Sequence, residues 1–236
     1  MPAVDKSVAP DSLATRLKTE TAAAHEAMHV LMGQLAPFAD RDRYARFVAA
    51  QYVFQCRVDA LCANDWIASL VPDLGRRGRA HAARADLLDL GADVPSGDDV
   101  TDPGWGEPIA GGKAASGASG TSAQPGTQVP SSHALQRWAL GWLYVSEGST
   151  LGAAFLFKQA QTDLDLSAQF GARNLAAAPE GRAQAWRGFV AAIDAAALSA
   201  THQKDVVAGA QDAFSFFAAT LTRAFEGAAA LKTQTL

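Results

Sequence analysis

The chain has 236 residues, 49% hydrophobic and 19% charged, with 20 basic against 24 acidic side chains and a formal net charge of −4. This length and apolar content suit one well-buried globular domain and are short for two. A net acidic balance without a long run of one sign argues against a nucleic-acid binder, which normally carries a basic surplus.

The amino end, MPAVDKSVAPDSLATRL, has no basic segment followed by an apolar one. No signal peptide is read there, and a cytoplasmic location is expected. Residues 1–10 read as a flexible tail ahead of a single domain over 11–232. Alanine and leucine dominate, β-branched runs are short, and apolar residues recur at helical spacing, so the fold class expected is all-α. The first helix starts after Asp11 or Ser12, either of which can cap it, and is predicted to run to about Leu35. Pro37 and the Asp40-Arg41-Asp42 cluster separate it from a second helix. In that helix Tyr44, Phe47, Val48, Gln51, Tyr52, Gln55, Val58 and Cys62 fall on one mostly apolar face. Cys56 and Cys62 are six residues apart along it, roughly 9 Å of rise, beyond disulfide reach. Both read as small buried hydrophobes.

A third helix is predicted from about Arg77 to Leu90, stopped by Gly91. From 93 to 132 the composition turns to Gly, Ser, Ala and Pro, with eight glycines between Gly97 and Gly126. Such a segment buries too little apolar area to offset its ordering entropy. It reads as an insertion within the domain, because helical pattern resumes at once. Four more helices follow, at about 133–162, 167–175, 180–198 and 202–230, giving a bundle of seven or eight.

The stretch Trp138 to Phe157 is long enough to span a bilayer, but Glu147 stands near its middle beside Ser146, Ser149 and Thr150. A central carboxylate with no second span to pair it is costly in lipid, so no membrane segment is expected. Within that helix Gly148 and Gly152 lie four apart, and each costs about 1 kcal/mol relative to alanine. They clear one patch of side chains, which can receive another helix or a flat ligand; spacing alone leaves both open. On the first helix, His25-Glu26-Ala27-Met28-His29 matches the HExxH zinc pattern. Its position before any cleft-forming domain, and Met32 where the extended form needs glycine, count against zinc hydrolysis.

Three pieces in order carry a further signal: Leu17-Lys18-x-x-Thr21-x-x-x-His25, the segment Leu70 to Gly91, and Tyr144-x-x-Glu147-Gly148-Ser149-x-x-Gly152. Together they resemble bacterial biliverdin-producing heme oxygenases, from about Ser12 to Phe225, interrupted by the Gly/Ser-rich insertion. The resemblance implies a single-domain helical bundle of the heme oxygenase type, with heme between the first helix and the glycine-bearing distal helix. It implies an oxidoreductase for which heme is both substrate and cofactor, giving biliverdin, carbon monoxide and ferrous iron with molecular oxygen. His25 would be the proximal ligand of the heme iron, while Gly148 and Gly152 let the distal main chain approach the ring. Lys18 and Tyr144 would hold a propionate, favouring cleavage at the α position. Ser149 takes the place of an aspartate found in mammalian relatives, and Gln51 and Gln55 are candidates for holding distal waters. A carboxylate one turn after the proximal histidine in some relatives is His29 here, which puts the usual hydrogen bond to the ligand's second ring nitrogen in doubt. No Gly-rich strand-turn-helix for a nucleotide is present, so electrons would come from a ferredoxin or an NAD(P)H-dependent reductase. Arg76, Arg77, Arg79 and Arg84 could dock an acidic donor or simply form a solvated face. His81, His133 and His202 read as surface or cap residues. The alternatives are a heme carrier or sensor without turnover, and a helical relative acting on another small molecule.

Overall fold

A computed structural model describes residues 12–71, 73–96 and 132–233 of the chain. Among these are eight α-helices: α1 (Leu13–Glu20), α2 (Ala22–Leu35), α3 (Arg41–Cys62), α4 (Asp65–Leu70), α5 (Ala80–Asp89), α6 (Ser132–Leu164), α7 (Arg182–Ala195) and α8 (Ala200–Thr233). Single 3₁₀ turns lie at Leu74–Arg76 and Arg173–Leu175. The all-α expectation holds, and the tail over 1–10 and nearly all of the 93–132 insertion fall outside the described residues.

Local chemistry sets the helix starts. Ser12 accepts from the Thr15 amide at 3.2 Å, Asp40 from Arg43 at 2.7 Å and Asn64 from Ile67 at 2.9 Å, each satisfying an amide the helix leaves unpaired. Gly91, at φ +66°, ends the α5 region as its position in the sequence suggested. Two predicted elements differ. The first helix is broken at Thr21, which adopts φ −106°, ψ 2°. Its buried hydroxyl donates back to the Leu17 carbonyl at 2.7 Å, closing α1 before α2 begins. The helix predicted at 167–175 is instead a turn. Gly171 takes φ +74°, its amide goes to Asp89 at 2.8 Å, and the Arg173 and Asn174 amides go to Asp86 at 2.9 and 2.8 Å. Those bonds to α5 replace the ladder a helix would need.

The scaffold is built on α6 and α8, which cross at two glycines. A Cβ on Gly141 would stand 2.1 Å from the Val206 carbonyl oxygen, and one on Gly209 would stand 1.9 Å from that of Trp138. Neither position admits a side chain, so the two main chains touch. Flanking bonds fix the register: Trp138 Nε1 donates to Asp212 at 2.7 Å and Arg137 pairs with Asp205 at 2.7 Å. Around this crossing Leu17, Phe54, Trp142, Phe189 and Phe216 form one core cluster, while Tyr44, Phe47, Leu87, Leu164 and Leu221 form a second. Burying each such side chain fully stabilises by about 1.5–3 kcal/mol. The helix α2 is the exception. It packs against α8 and meets α1, yet contains no buried residue.

Candidate functional site

His25 lies exposed on α2. Its ring meets His29 edge-on at a centroid separation of 4.6 Å and Phe214 of α8 at 6.2 Å, the latter near-perpendicular. Two ring contacts, one along α2 and one from the scaffold beneath, therefore orient the imidazole. His29 supplies the first of them, in the place where a carboxylate had been the comparison. Among the described residues no group of three or more His, Cys, Asp or Glu is placed to hold a metal ion, so the HExxH match gains no zinc-type ligand set. Met28, Leu31 and Met32 are only partly buried, and Val30 is 53% exposed. This helix offers apolar surface that the protein itself does not cover.

The middle of α6 offers a second such surface. Gly152 has no atom within 4 Å of where a side chain would begin. Beside it Leu151 and Phe155 are exposed, Phe155 at 72%. The helix-packing alternative therefore fails at Gly152: the close approach of helices in this fold is at Gly141 and Gly209. Gly148 differs from Gly152, since a Cβ there would sit 3.6 Å from the Trp186 ring, an ordinary contact. Trp186 also packs on Tyr144, at 5.6 Å between centroids. Tyr144 is buried, and burial pushes its hydroxyl pKa above the ordinary tyrosine value.

The polar centre of α6 is explained by its partners. Glu147, 4% exposed, pairs with Arg77, which is itself held by Asp73 at 2.9 Å. Burial raises the Glu147 pKa above the usual carboxylate value, and Arg77 opposes that rise. Ser149 is exposed, and its hydroxyl donates to the Ser146 carbonyl at 2.7 Å. Gln55 is buried and accepts from the Ser146 hydroxyl at 3.2 Å. Gln51 accepts from the Asn174 amide at 2.5 Å. The two glutamines thus make separate bonds to α6 and to the 3₁₀ turn at Arg173–Leu175. Both side-chain oxygens are engaged with protein donors. Asn174, 4% exposed, keeps its Oδ1 without a partner among the described residues.

Lys18 is exposed on α1. The break at Thr21 separates it from the helix that carries His25. Arg77 points inward to Glu147, and Arg79 donates to the Asn174 and Ala176 carbonyls at 3.0 and 2.6 Å. Of the basic stretch, Arg76 and Arg84 remain exposed, so its two inner members serve the fold. His81, His133 and His202 are exposed, as expected. A cavity of about 520 Å³ opens on the α3 side of α6, lined by Asp59, Arg77, His81, Leu143 and Ser146 among others. None of His25, Gly148 or Gly152 lines it. Trp186, Phe214, Asn174 and Arg182 were missed by sequence reading. Only the lone Glu147 in an apolar helix signalled that a buried cation must exist elsewhere.

A family model for heme oxygenase matches residues 117–223. The heme oxygenase PigA of Pseudomonas aeruginosa is 41% identical over 224 residues, covering 93% of this chain and 98% of that protein. This chain belongs to the heme oxygenase family. The NO- and CO-bound heme oxygenase of Neisseria meningitidis has the same fold, with a TM-score of 0.72, 30% identity and coverage of 92% and 93%. The heme oxygenase fold and an oxidoreductase activity of that class are thereby established for this chain. Heme and oxygen use follow from the family. The residues present fit a flat, largely apolar ring. An accessible imidazole stands on one helix, bare main chain at Gly152 on another, and uncovered Val30, Leu151 and Phe155 supply apolar surface. No helix among the described residues is long and apolar enough to cross a membrane.

Proposed function

We propose that this heme oxygenase holds heme between α2 and the glycine-bearing part of α6, with His25 as the proximal ligand to the iron, and cleaves it to biliverdin, carbon monoxide and ferrous iron. The observation that carries this reading is Gly152. It presents main chain to open space next to exposed apolar side chains, although a glycine there weakens the helix and no neighbouring helix uses the gap. A group that binds without turnover does not need that closeness. Bound heme supplies the redox-active iron and the ring that is oxidised. The protein supplies an imidazole in a fixed orientation, through Phe214 and His29, and a bare distal wall.

Ser149, at the surface of the same turn, has a hydroxyl able to hold a water near the ring, and Gly148 leaves room beneath Trp186. Gln55, through Ser146, and Gln51, through Asn174, fix the polar side chains behind the distal helix from which ordered waters would be held. Lys18 and Tyr144 are assigned to a propionate. Tyr144 is supported by the rigid seat that Trp186 gives its ring, and this pair favours the α meso carbon. Electrons are supplied by a ferredoxin or an NAD(P)H-dependent reductase.

Reconstitution with hemin, followed by reductant in air and chromatography of the bilin, tests the reading. A histidine-ligated Soret band that decays to α-biliverdin is expected. A stable spectrum without product would sink the enzyme assignment for these residues, and another isomer would sink the propionate assignment alone. His25→Ala is expected to remove histidine ligation.

A further inference from the structure

The helix α6 carries several weakening features where it borders the proposed heme site. Between Ser146 and Gly152 it carries two glycines, and the hydroxyls of Ser149 and Thr150 donate back to the carbonyls of Ser146 and Glu147, both at 2.7 Å. Such back-bonding loosens and bends helices. On the open side nothing lies against Gly152. On the other side an arginine reaches the main chain itself. Arg182, the first residue of α7, donates from Nη1 to the Thr150 carbonyl at 2.7 Å and from Nη2 to the Leu175 carbonyl at 2.5 Å. Thr150 lies between the two glycines, within a helix whose carbonyls already serve the amides four residues on.

Arg182 is partly withdrawn from water, and among the described residues no carboxylate pairs with it. A guanidinium placed this way incurs a desolvation cost that only its two carbonyl bonds offset. One turn along, on the same face of α7, Trp186 covers Gly148. The amino-terminal part of α7 therefore meets α6 at both ends of the stretch 148–150.

We propose that Arg182 is a positioning residue for the distal wall. By tying the Thr150 carbonyl to that of Leu175, it fixes the height at which the bare main chain of Gly152 faces the ligand, and through it the meso carbon that reacts. This rests on the heme-cleft reading above. It assigns the regiochemical outcome partly to a residue outside the cleft, since Arg182 acts on the wall and touches no substrate.

Two variants separate positioning from general support. Arg182→Met keeps the aliphatic stem and removes both donor nitrogens, while Arg182→Lys keeps the charge on a single nitrogen and loses the fork that bridges the two carbonyls. Hydrogen–deuterium exchange of the ligand-free protein is expected to quicken by about tenfold at 151–154 in Arg182→Met, the loss of one hydrogen bond to a charged group. Arg182→Lys should be intermediate, with α3 amides unchanged in both. With hemin bound, Arg182→Met should keep the histidine-ligated spectrum while the ratio of biliverdin isomers shifts by about twofold or more. Parental exchange at 151–154 would overturn the proposal. So would uniformly faster exchange across the whole chain in both variants, or faster local exchange with an unchanged isomer ratio. Should the parent protein form no biliverdin, the functional reading fails, while the exchange measurement still decides the clamp.

Discussion

At the scale of single residues, Gly152 and Glu147 make opposite demands on the same helix. Gly152 is left bare where alanine would give a better helix and would meet no clash. Gly152→Ala is therefore expected to stabilise the protein by about 1 kcal/mol in urea unfolding. Biliverdin formation should fall by about tenfold or more, because the added methyl displaces the ring from the distal wall. A loss of stability in that variant would mean that Gly152 packs against protein. Glu147 is buried against Arg77, with its pKa raised by burial. Between the ordinary carboxylate range and that raised value, the folded state binds more protons than the unfolded one. The contribution of Glu147 to stability therefore falls as pH rises through this window. Urea midpoints taken from the ordinary carboxylate range upward should carry this contribution in the parent. The fall with pH should be shallower in Glu147→Gln than in the parent. The oddness of Glu147 was visible in the sequence. Its partner was not, because Arg77 lies 70 residues away within a basic stretch that reads equally well as a solvated face.

At the scale of elements, the α6–α8 crossing is the strictest joint. Gly209→Ala would drive a methyl to 1.9 Å from the Trp138 oxygen, and Gly141→Ala would be nearly as close to Val206. Either substitution forces two long helices apart and is expected to cost about 3 kcal/mol or more, seen as a collapsed thermal midpoint by circular dichroism. A second joint ties α5 to the turn after α6 through Asp86, which is fully buried and accepts two amides and an arginine. Asp86→Ala leaves the Arg173 and Asn174 main-chain amides without their acceptor, while Arg173 keeps Asp89, and should cost about 3 kcal/mol by chemical denaturation. Helical periodicity located α3, α6 and α8 within a few residues. The stop at Thr21 and the turn at 167–175 were missed because both are decided by hydrogen bonds that periodicity does not register. One runs from a threonine hydroxyl to its own preceding turn, and the others run to carboxylates of α5.

At the scale of the whole molecule, α2 leans on the core through Met28, Leu31, Met32 and Leu35, all only partly buried, and contains no buried residue. A ligand seated between α2 and α6 would supply the missing contacts. Hemin at about 100 times its Kd would add about 2.7 kcal/mol, which raises the thermal midpoint of a chain of this size by about 5–10 °C. Slower amide exchange should accompany this, confined to α2 and to the middle of α6. His25→Ala should lose at least half of the shift. An equal shift in parent and variant would remove His25 from the site.

Composition and periodicity by themselves determined that this is an all-helical chain with one domain's worth of core. The order and spacing of His25, Glu147, Gly148 and Gly152 pointed to the family. Those are local properties, carried by residue type and by positions along single helices. Only the tertiary structure decided which glycines join helices and which lie open, which arginines are internal, and what orients His25. Each of those outcomes depends on atoms from elements far apart in the chain, and no one-dimensional pattern specifies the distance between them.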